Sequence, residues 1–299
     1  MKKLLLLILL ILLPLISCNE DNTEIISPNI GVLVSVPGGT FQRDGAATNL
    51  STVSSFKMSK YEITRAQFLA VMGTDPSEPR SSGMSDPVQS VNWYQAIAFC
   101  NKLSLLEGLI PVYAVSGVNF STLTYAQIPT SSDTTWNTVT ANWTANGYRL
   151  PTEMEWMWAA MGADTANPGS VNTTGYAKAF AGSTGKNAIG DYAVFGFSTS
   201  ETGHTTTPRP NPVGSKLANE LGLYDMSGNV QEWTWDVFES DTYPSGSLSD
   251  YVGTASGTPR VNRGGSWKID AFYATVAHRH FLGPHLQYDL MGFRVVRRP

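Results

Sequence analysis

The chain has 299 residues, of which 15% are charged, and a formal net charge of −4. Its 20 Lys and Arg residues are not clustered, which excludes a nucleic-acid-binding surface. Two cysteines exclude a disulfide framework.

Met1-Lys2-Lys3 is a cationic start, and Leu4 to Leu13 is almost pure Leu and Ile. This run is too short for a membrane span and suits a secretory signal. Leu15-Ile16-Ser17-Cys18 resembles a bacterial lipobox. Residues 1–17 are therefore expected to be a signal peptide, and Cys18 the site of lipidation. The alternative is an ordinary signal with an incidental Cys. Two or more acyl chains anchor stably where one is marginal. Residues 18–30 are expected to be the lipidated Cys and a polar tether, and 31–299 one domain. These features predict a bacterial cell-envelope protein, held by its N-terminal lipid at the outer-membrane surface. The second cysteine, Cys100, shares a helical stripe with Ala96, Phe99 and Leu103, which fits a small buried apolar thiol better than a reactive one.

Three helix starts are legible. Thr64-Arg65-Ala66-Gln67 has capping-box spacing, with Gly73 to close the helix. Asn92-Trp93-Tyr94-Gln95 opens a second, running to about Glu107. Thr152-Glu153-Met154-Glu155 opens a third, ending near Gly162. In each, the first residue can accept hydrogen bonds from unpaired helix N–H groups. Strands are expected at Gly31–Val36, 56–63 and 292–296. Residues 116–146 and 167–211 look like irregular insertions. Few helices, short strands and long loops predict an α+β domain in which loops carry much of the mass, and such loops are usually functional.

Several segments in order carry a family resemblance. They are Pro37-Gly38-Gly39-Thr40-Phe41, Tyr61-Glu62-Ile63-Thr64, Pro87-Val88-Gln89-Ser90-Val91-Asn92-Trp93 and Tyr148-Arg149-Leu150-Pro151-Thr152-Glu153. Gly222-Leu223-Tyr224-Asp225-Met226-Ser227-Gly228-Asn229-Val230-Gln231-Glu232-Trp233, Arg263-Gly264-Gly265-Ser266-Trp267 and Gly292-Phe293-Arg294 complete the series. Together they resemble the formylglycine-generating enzyme (sulfatase-modifying factor) family. The resemblance implies a C-type-lectin-like fold with a small twisted antiparallel sheet, two or three helices and long irregular loops. The family's oxidase chemistry uses two cysteines after Gly-Gly-Ser, where copper binds. The corresponding positions here are about Ile269 and Ala274, which cannot form a thiolate. The chain therefore resembles the non-catalytic branch, and within it the retroelement-diversified variable lipoproteins of treponemes.

In the last forty residues a fixed frame encloses a mismatched filling. The frame is Arg263 to Trp267, Ala271, Thr275-Val276-Ala277, Arg279, Pro284 and Gly292 to Arg297. The filling is Ile269, Asp270, Phe272, Tyr273, His278, His280, Phe281, Leu282, Gly283, His285, Leu286, Tyr288, Asp289 and Leu290. Family members commonly carry Asn in this stretch, yet no Asn follows Asn262. Each filling residue can be reached from an Asn codon by replacing adenines alone. Lys268, Gln287 and Met291 cannot and read as fixed. The fourteen positions are thus expected to form a diversified ligand-binding face, with the variable region at 263–299. The apolar members show no sustained period of 2 or 3.6, and Gly283-Pro284 interrupts them, which argues against a core role. Exposed, they would mark an interaction site. Burying one Leu or Phe is worth roughly 1.5–3 kcal/mol and association costs about 4–15 kcal/mol. Four to six anchors leave roughly the 8 kcal/mol that micromolar binding needs.

The expected partner is a protein or other macromolecule, bound by a monomer that needs no cofactor. His278, His280 and His285 could instead be metal ligands, although no carboxylate or Cys stands at a conventional spacing. The resemblance also implies a structural Ca²⁺ on the loop 225–232, held by Asp225, Glu232 and the carbonyls of Gly228 and Val230. The alternative is a Glu232 that only pairs with Arg. Arg149 and Arg294 are the expected partners of Glu153 and Glu232. Two further readings stay open: an oxidase of the family type, and a structural envelope lipoprotein without a variable ligand.

Overall fold

The computed structural model describes residues 25–77, 80–254 and 257–299. The expected signal peptide, Cys18 and residues 19–24 lie outside the described residues. Among those described, no helix is long and apolar enough to cross a membrane.

All three expected helices form, and each starts as its sequence dictates. Helix α1 (Arg65–Met72) has a complete capping box between Thr64 and Gln67 and ends on Gly73 at φ 73°. Helix α2 (Trp93–Leu106) has the same box between Asn92 and Gln95. Helix α3 (Glu153–Ala160) has it between Thr152 and Glu155. The box satisfies donors on both sides of the helix start, so the entry angle of each helix is fixed locally. Cys100, Ala96, Phe99 and Leu103 are all buried along α2, as their spacing requires.

The strands are β1 (Ile25–Ser27), β2 (Gly31–Val36), β3 (Gly39–Gln42), β4 (Leu50–Val53) and β5 (Phe56–Ser59) in the first half. The second half contributes β6 (Gln231–Val237), β7 (Arg260–Arg263), β8 (His280–Leu282), β9 (Met291–Gly292) and β10 (Val296–Arg297). They form three four-stranded sheets rather than one. The first is β1-β2-β5-β10. The second is built on β4-β3, flanked by Leu248–Ser249 and Val171–Asn172. The third is β8-β7-β6-β9. Pairing is mostly antiparallel, but β9 runs parallel to β6, and both flanking pairs run parallel to their neighbours.

Three expectations need correction. The domain begins before residue 31: Ile25–Ser27, expected within the tether, pairs antiparallel with Gly31–Leu33. The strand expected over 56–63 stops at Ser59. The strand expected over 292–296 is two short ones: Met291–Gly292 pairs with β6, and Val296–Arg297 pairs with β5. Between them the chain crosses from one sheet to another, and Arg294 turns inward to Glu232.

Two apolar cores result. One surrounds α1 and α2, and the other surrounds α3, β3 and β5. The insertion 116–146 adds Phe120, Leu123, Ile128, Trp136 and Val139 to the first core. Despite its polar composition it is a packed layer over α2. The four fully enclosed indoles each find an acceptor: Trp93 on Thr234 O, Trp156 on Glu232 Oε2, Trp233 on Val91 O and Trp267 on Asp289 O. A buried Trp without such a partner is costly.

Candidate binding face

The frame is buried at Arg263 to Trp267, Val276, Pro284 and Gly292 to Val296, half-buried at Ala271, Thr275, Arg279 and Arg297, and exposed at Ala277; its buried members hold the loops by their backbone. Arg263 is 1% exposed. Its guanidinium donates to the carbonyls of Val276 (2.8 Å), Ala277 (3.1 Å) and His278. One buried cation thus fixes three consecutive peptide groups. Arg279 donates to both oxygens of Glu153 at 2.7 and 2.8 Å, and its plane lies 4.1 Å from the Tyr243 ring centroid. Such charge-assisted, two-pronged contacts are strong and directional. Gly265 sits at φ 72°, and a Cβ there would stand 2.9 Å from the Tyr273 backbone. Only glycine fits this close approach. The insertion 167–211 props the same turn: Gly196, Phe197 and Ser198 donate to the carbonyls of Ile269, Trp267 and Lys268.

The later part of the segment is clipped to the start of α2. Trp93 N–H donates to Pro284 O, and Ser90 N–H to Tyr288 O. Asn92 Nδ2 donates to His285 O. These contacts supply acceptors that the first turn of a helix lacks. Gln287, read as fixed, donates its amide to Ser90 O and Gln95 Oε1. Met291, also read as fixed, is fully buried. Lys268 is held by its carbonyl, which accepts from Ser198 N–H, a contact that any residue there would make.

None of the fourteen filling positions is buried. Phe272, Phe281 and Tyr288 are 66%, 44% and 46% exposed. Several filling rings meet as a strip. His278 stands edge-on to Tyr273 and Phe272 at 4.7 and 5.1 Å. His280 stacks beside Phe281 at 6.1 Å, and Phe281 stacks on Phe238 at 4.1 Å. His285, Leu286 and Tyr288 lie apart from this strip, next to the start of α2. Two positions are less free: Leu282 and Leu290 lean on the first core. Asp270 caps the turn Ala271–Ala274 by accepting from Phe272 N–H, and Asp289 faces Arg80 at 3.5 Å.

The sequence did not point to Phe238, which follows the all-buried strand β6 and is placed by it under Phe281. Nor did it point to the opposite wall of a groove of about 710 Å³ beside Phe272 and His278. Asp44, Ala46, Tyr176 and Asp241 line that wall. These residues come from distant segments, so no local pattern in the sequence marks them.

The histidines do not converge as ligands. His278 packs among rings, and burial, then the Arg263 charge, pushes its pKa down to about 4. His280 Nδ1 meets Asn262 Oδ1. Among the described residues no group of three or more His, Cys, Asp and Glu is placed to hold a metal.

The residues assigned to Ca²⁺ do not fit the ion. Glu232 is fully buried, and both of its oxygens accept from Arg294 Nε, at 2.8 and 2.7 Å. Trp156 Nε1 takes Oε2 as well. Asp225 Oδ2 accepts from Gly214 N–H, and its Oδ1 is buried without a partner. Burial raises the Asp225 pKa to about 6. The neighbouring Glu62 is raised well above the usual carboxylate range, first by burial and then by the charge of Asp225. The loop is organised by an arginine instead. Of the expected ion pairs, Arg294–Glu232 forms at 2.6 Å. Arg149 pairs with Glu155 rather than Glu153, because the α3 capping box turns Glu155 back toward Thr152. Glu153 is left to Arg279, with Arg263 at 3.7 Å.

Ile269 and Ala274 offer no thiol at the oxidase positions. Ala274 is buried, and its carbonyl accepts from Ser227 Oγ. Cys100 is enclosed in α2, and burial pushes its thiol pKa far up.

Residues 23–299 match the sulfatase-modifying factor enzyme 1-like domain. The chain is similar to the chaperone protein LppX of Paenibacillus barcinonensis, with 34% identity over 94% of this chain and 93% of that one. It is 27% identical to the formylglycine-generating enzyme of Thermomonospora curvata over 89% of this chain and 93% of the enzyme. Among solved structures it is similar to Treponema denticola variable protein 1, with TM-score 0.77 and 34% identity over 90% of this chain and 95% of that one. It is also similar to CarF, with TM-score 0.64 and 26% identity over 89% and 98%. These likenesses agree with the α+β, C-type-lectin-like architecture.

Proposed function

The chain belongs to the sulfatase-modifying factor enzyme 1-like family, and from that premise we propose that it is a non-catalytic binding protein of the bacterial cell envelope. In this reading Cys18 carries the lipid that holds it at the membrane. The segment 263–299 presents a binding face to a protein or other macromolecule, and the fourteen filling positions are diversified by a retroelement.

The observation that carries this reading is the division of labour within one segment. The frame residues Arg263 to Trp267 and Gly292 to Val296 are buried, and no filling position is. Exposed rings such as Phe272 and Phe281 add nothing to a core, and grouped rings are suited to anchoring a partner. The absence of thiols at Ile269 and Ala274 supports a non-catalytic role.

Two experiments test the reading. The 3′ segment of the gene is sequenced across strains, together with its neighbourhood. Changes should concentrate in the fourteen filling codons, at adenines of a nearby template; uniform codons would overturn diversification. A sulfatase-type Cys peptide is incubated with the protein and copper. No oxidation above background is expected, and turnover would return the chain to the enzyme branch.

A further inference from the structure

Eleven large apolar side chains are exposed among the described residues. Three of them, Phe272, Phe281 and Tyr288, belong to the binding face. Four others gather where the chain enters the domain: Ile26 at 66%, Leu105 at 40%, Leu106 at 60% and Ile110 at 60% exposure. Leu105 and Leu106 are the last residues of α2, and Ile110 lies in the turn after it. Ile26 is in β1, and Ser27 Oγ joins β1 to Glu107 at the same end of the helix. Glu107 also accepts from Asn29 and Tyr148, so both of its oxygens are engaged within the domain. Lys102, four residues before Leu106, stands on the same helix face.

The pairing of β1 with β2 places folded structure immediately after residue 24. Residues 18–24 are then all that separates a lipidated Cys18 from the domain. Even fully extended, seven residues span at most about 25 Å. The end of the molecule carrying Ile26 is therefore confined next to the bilayer.

We propose that Leu105, Leu106 and Ile110, with Ile26 beside them, rest in the headgroup region of the membrane that holds the lipid, and so orient the domain. The proposal depends on the anchored reading above. Lys102 has a long apolar stem and a charged head, which suits an interface of apolar chains and anionic phosphates. Helix α2 then acts as a strut about 21 Å long. Its C-terminal end meets the membrane, and its N-terminal end carries Pro284, His285 and Tyr288. The part of the binding face from Pro284 to Tyr288 is then held away from the bilayer.

The test uses the full chain, processed in cells and reconstituted into vesicles of phosphatidylethanolamine and phosphatidylglycerol. Leu106→Cys, Ile110→Cys and Tyr288→Cys variants are each labelled with an environment-sensitive fluorophore; all three side chains are exposed, and Cys100 is enclosed. Flotation with the vesicles reports the anchor. Quenching by lipids carrying a shallow spin label reports docking. The expected result is flotation of all three, strong quenching at 106 and 110, and none at 288. Flotation without quenching at 106 and 110 overturns the docking while leaving the anchor intact. Failure to float contradicts the anchored reading, and the docking falls with it. Sedimentation showing that Leu106→Asp dissolves a dimer would assign the patch to a second copy and likewise overturn the proposal.

Discussion

Trp267 and Phe272 are five residues apart and answer to different constraints. Trp267 is fully buried, its backbone N–H held by Asn229 and its carbonyl by Phe197. Phe272 is 66% exposed, and its ring stands edge-on to those of Tyr273 and His278. The same contrast runs through the segment. Frame residues hold loops by their peptide groups, which any filling residue also possesses. Arg263 grips carbonyls at 276, 277 and 278 without reading a side chain. A loop fixed in this way can change its side chains and keep its path.

The comparison breaks first, and by the most, if the frame is not essential. Arg294→Leu removes the cation that neutralises buried Glu232. Losing one partner of a buried pair costs about 3–5 kcal/mol, so urea unfolding should show a large loss or no folded protein at all. Gly265→Ala should cost roughly 1–3 kcal/mol in the same assay, from strain at a positive φ and the clash with the Tyr273 backbone.

The pH response should separate the two regions by sign. The folded-state pKa of His278 is depressed to about 4 from an ordinary 6.5, so the unfolded chain takes up its proton first. That contribution is present above about pH 6.5 and is lost as pH falls toward 4. Asp225 beneath the frame is raised from 3.8 to about 6. Its contribution is present below about pH 4 and is lost as pH rises through 6. His278→Gln should flatten the acid limb of a stability–pH curve, and Asp225→Asn the opposite one. The smallest effect belongs to the filling: Phe272→Ser and Tyr288→Ser should each stay within about 0.5 kcal/mol of the parent, read by the same unfolding curves.

The helices were legible because their signals are local. Thr64–Gln67, Asn92–Gln95 and Thr152–Glu155 each close a box within one turn. Strand β6 was not legible as a strand. All seven of its residues are buried, so the alternation that marks a half-buried strand is missing. The break between Gly292 and Val296 was hidden too, since it arises from a change of sheet. The filling was separated from the frame by residue type; no filling position is buried, but Ala271, Thr275, Arg279 and Arg297 of the frame are half-buried too and Ala277 is exposed, so burial follows the division only toward the two ends of the segment. Phe238 and the wall at Asp44 and Tyr176 depend on tertiary placement. The choice of Glu155 by Arg149 depends on which way a capping glutamate turns.

The central claim is that the filling is released from folding duty and free to bind. Two libraries test it most directly. One randomises the filling positions other than Leu282 and Leu290; the other randomises an equal number of frame positions from Arg263 to Arg297. Both are displayed on cells and sorted for protease resistance, then for binding to a panel of purified proteins. Most filling variants should stay resistant and yield specific binders, while few frame variants survive. Equal loss of resistance in the two libraries would contradict the claim.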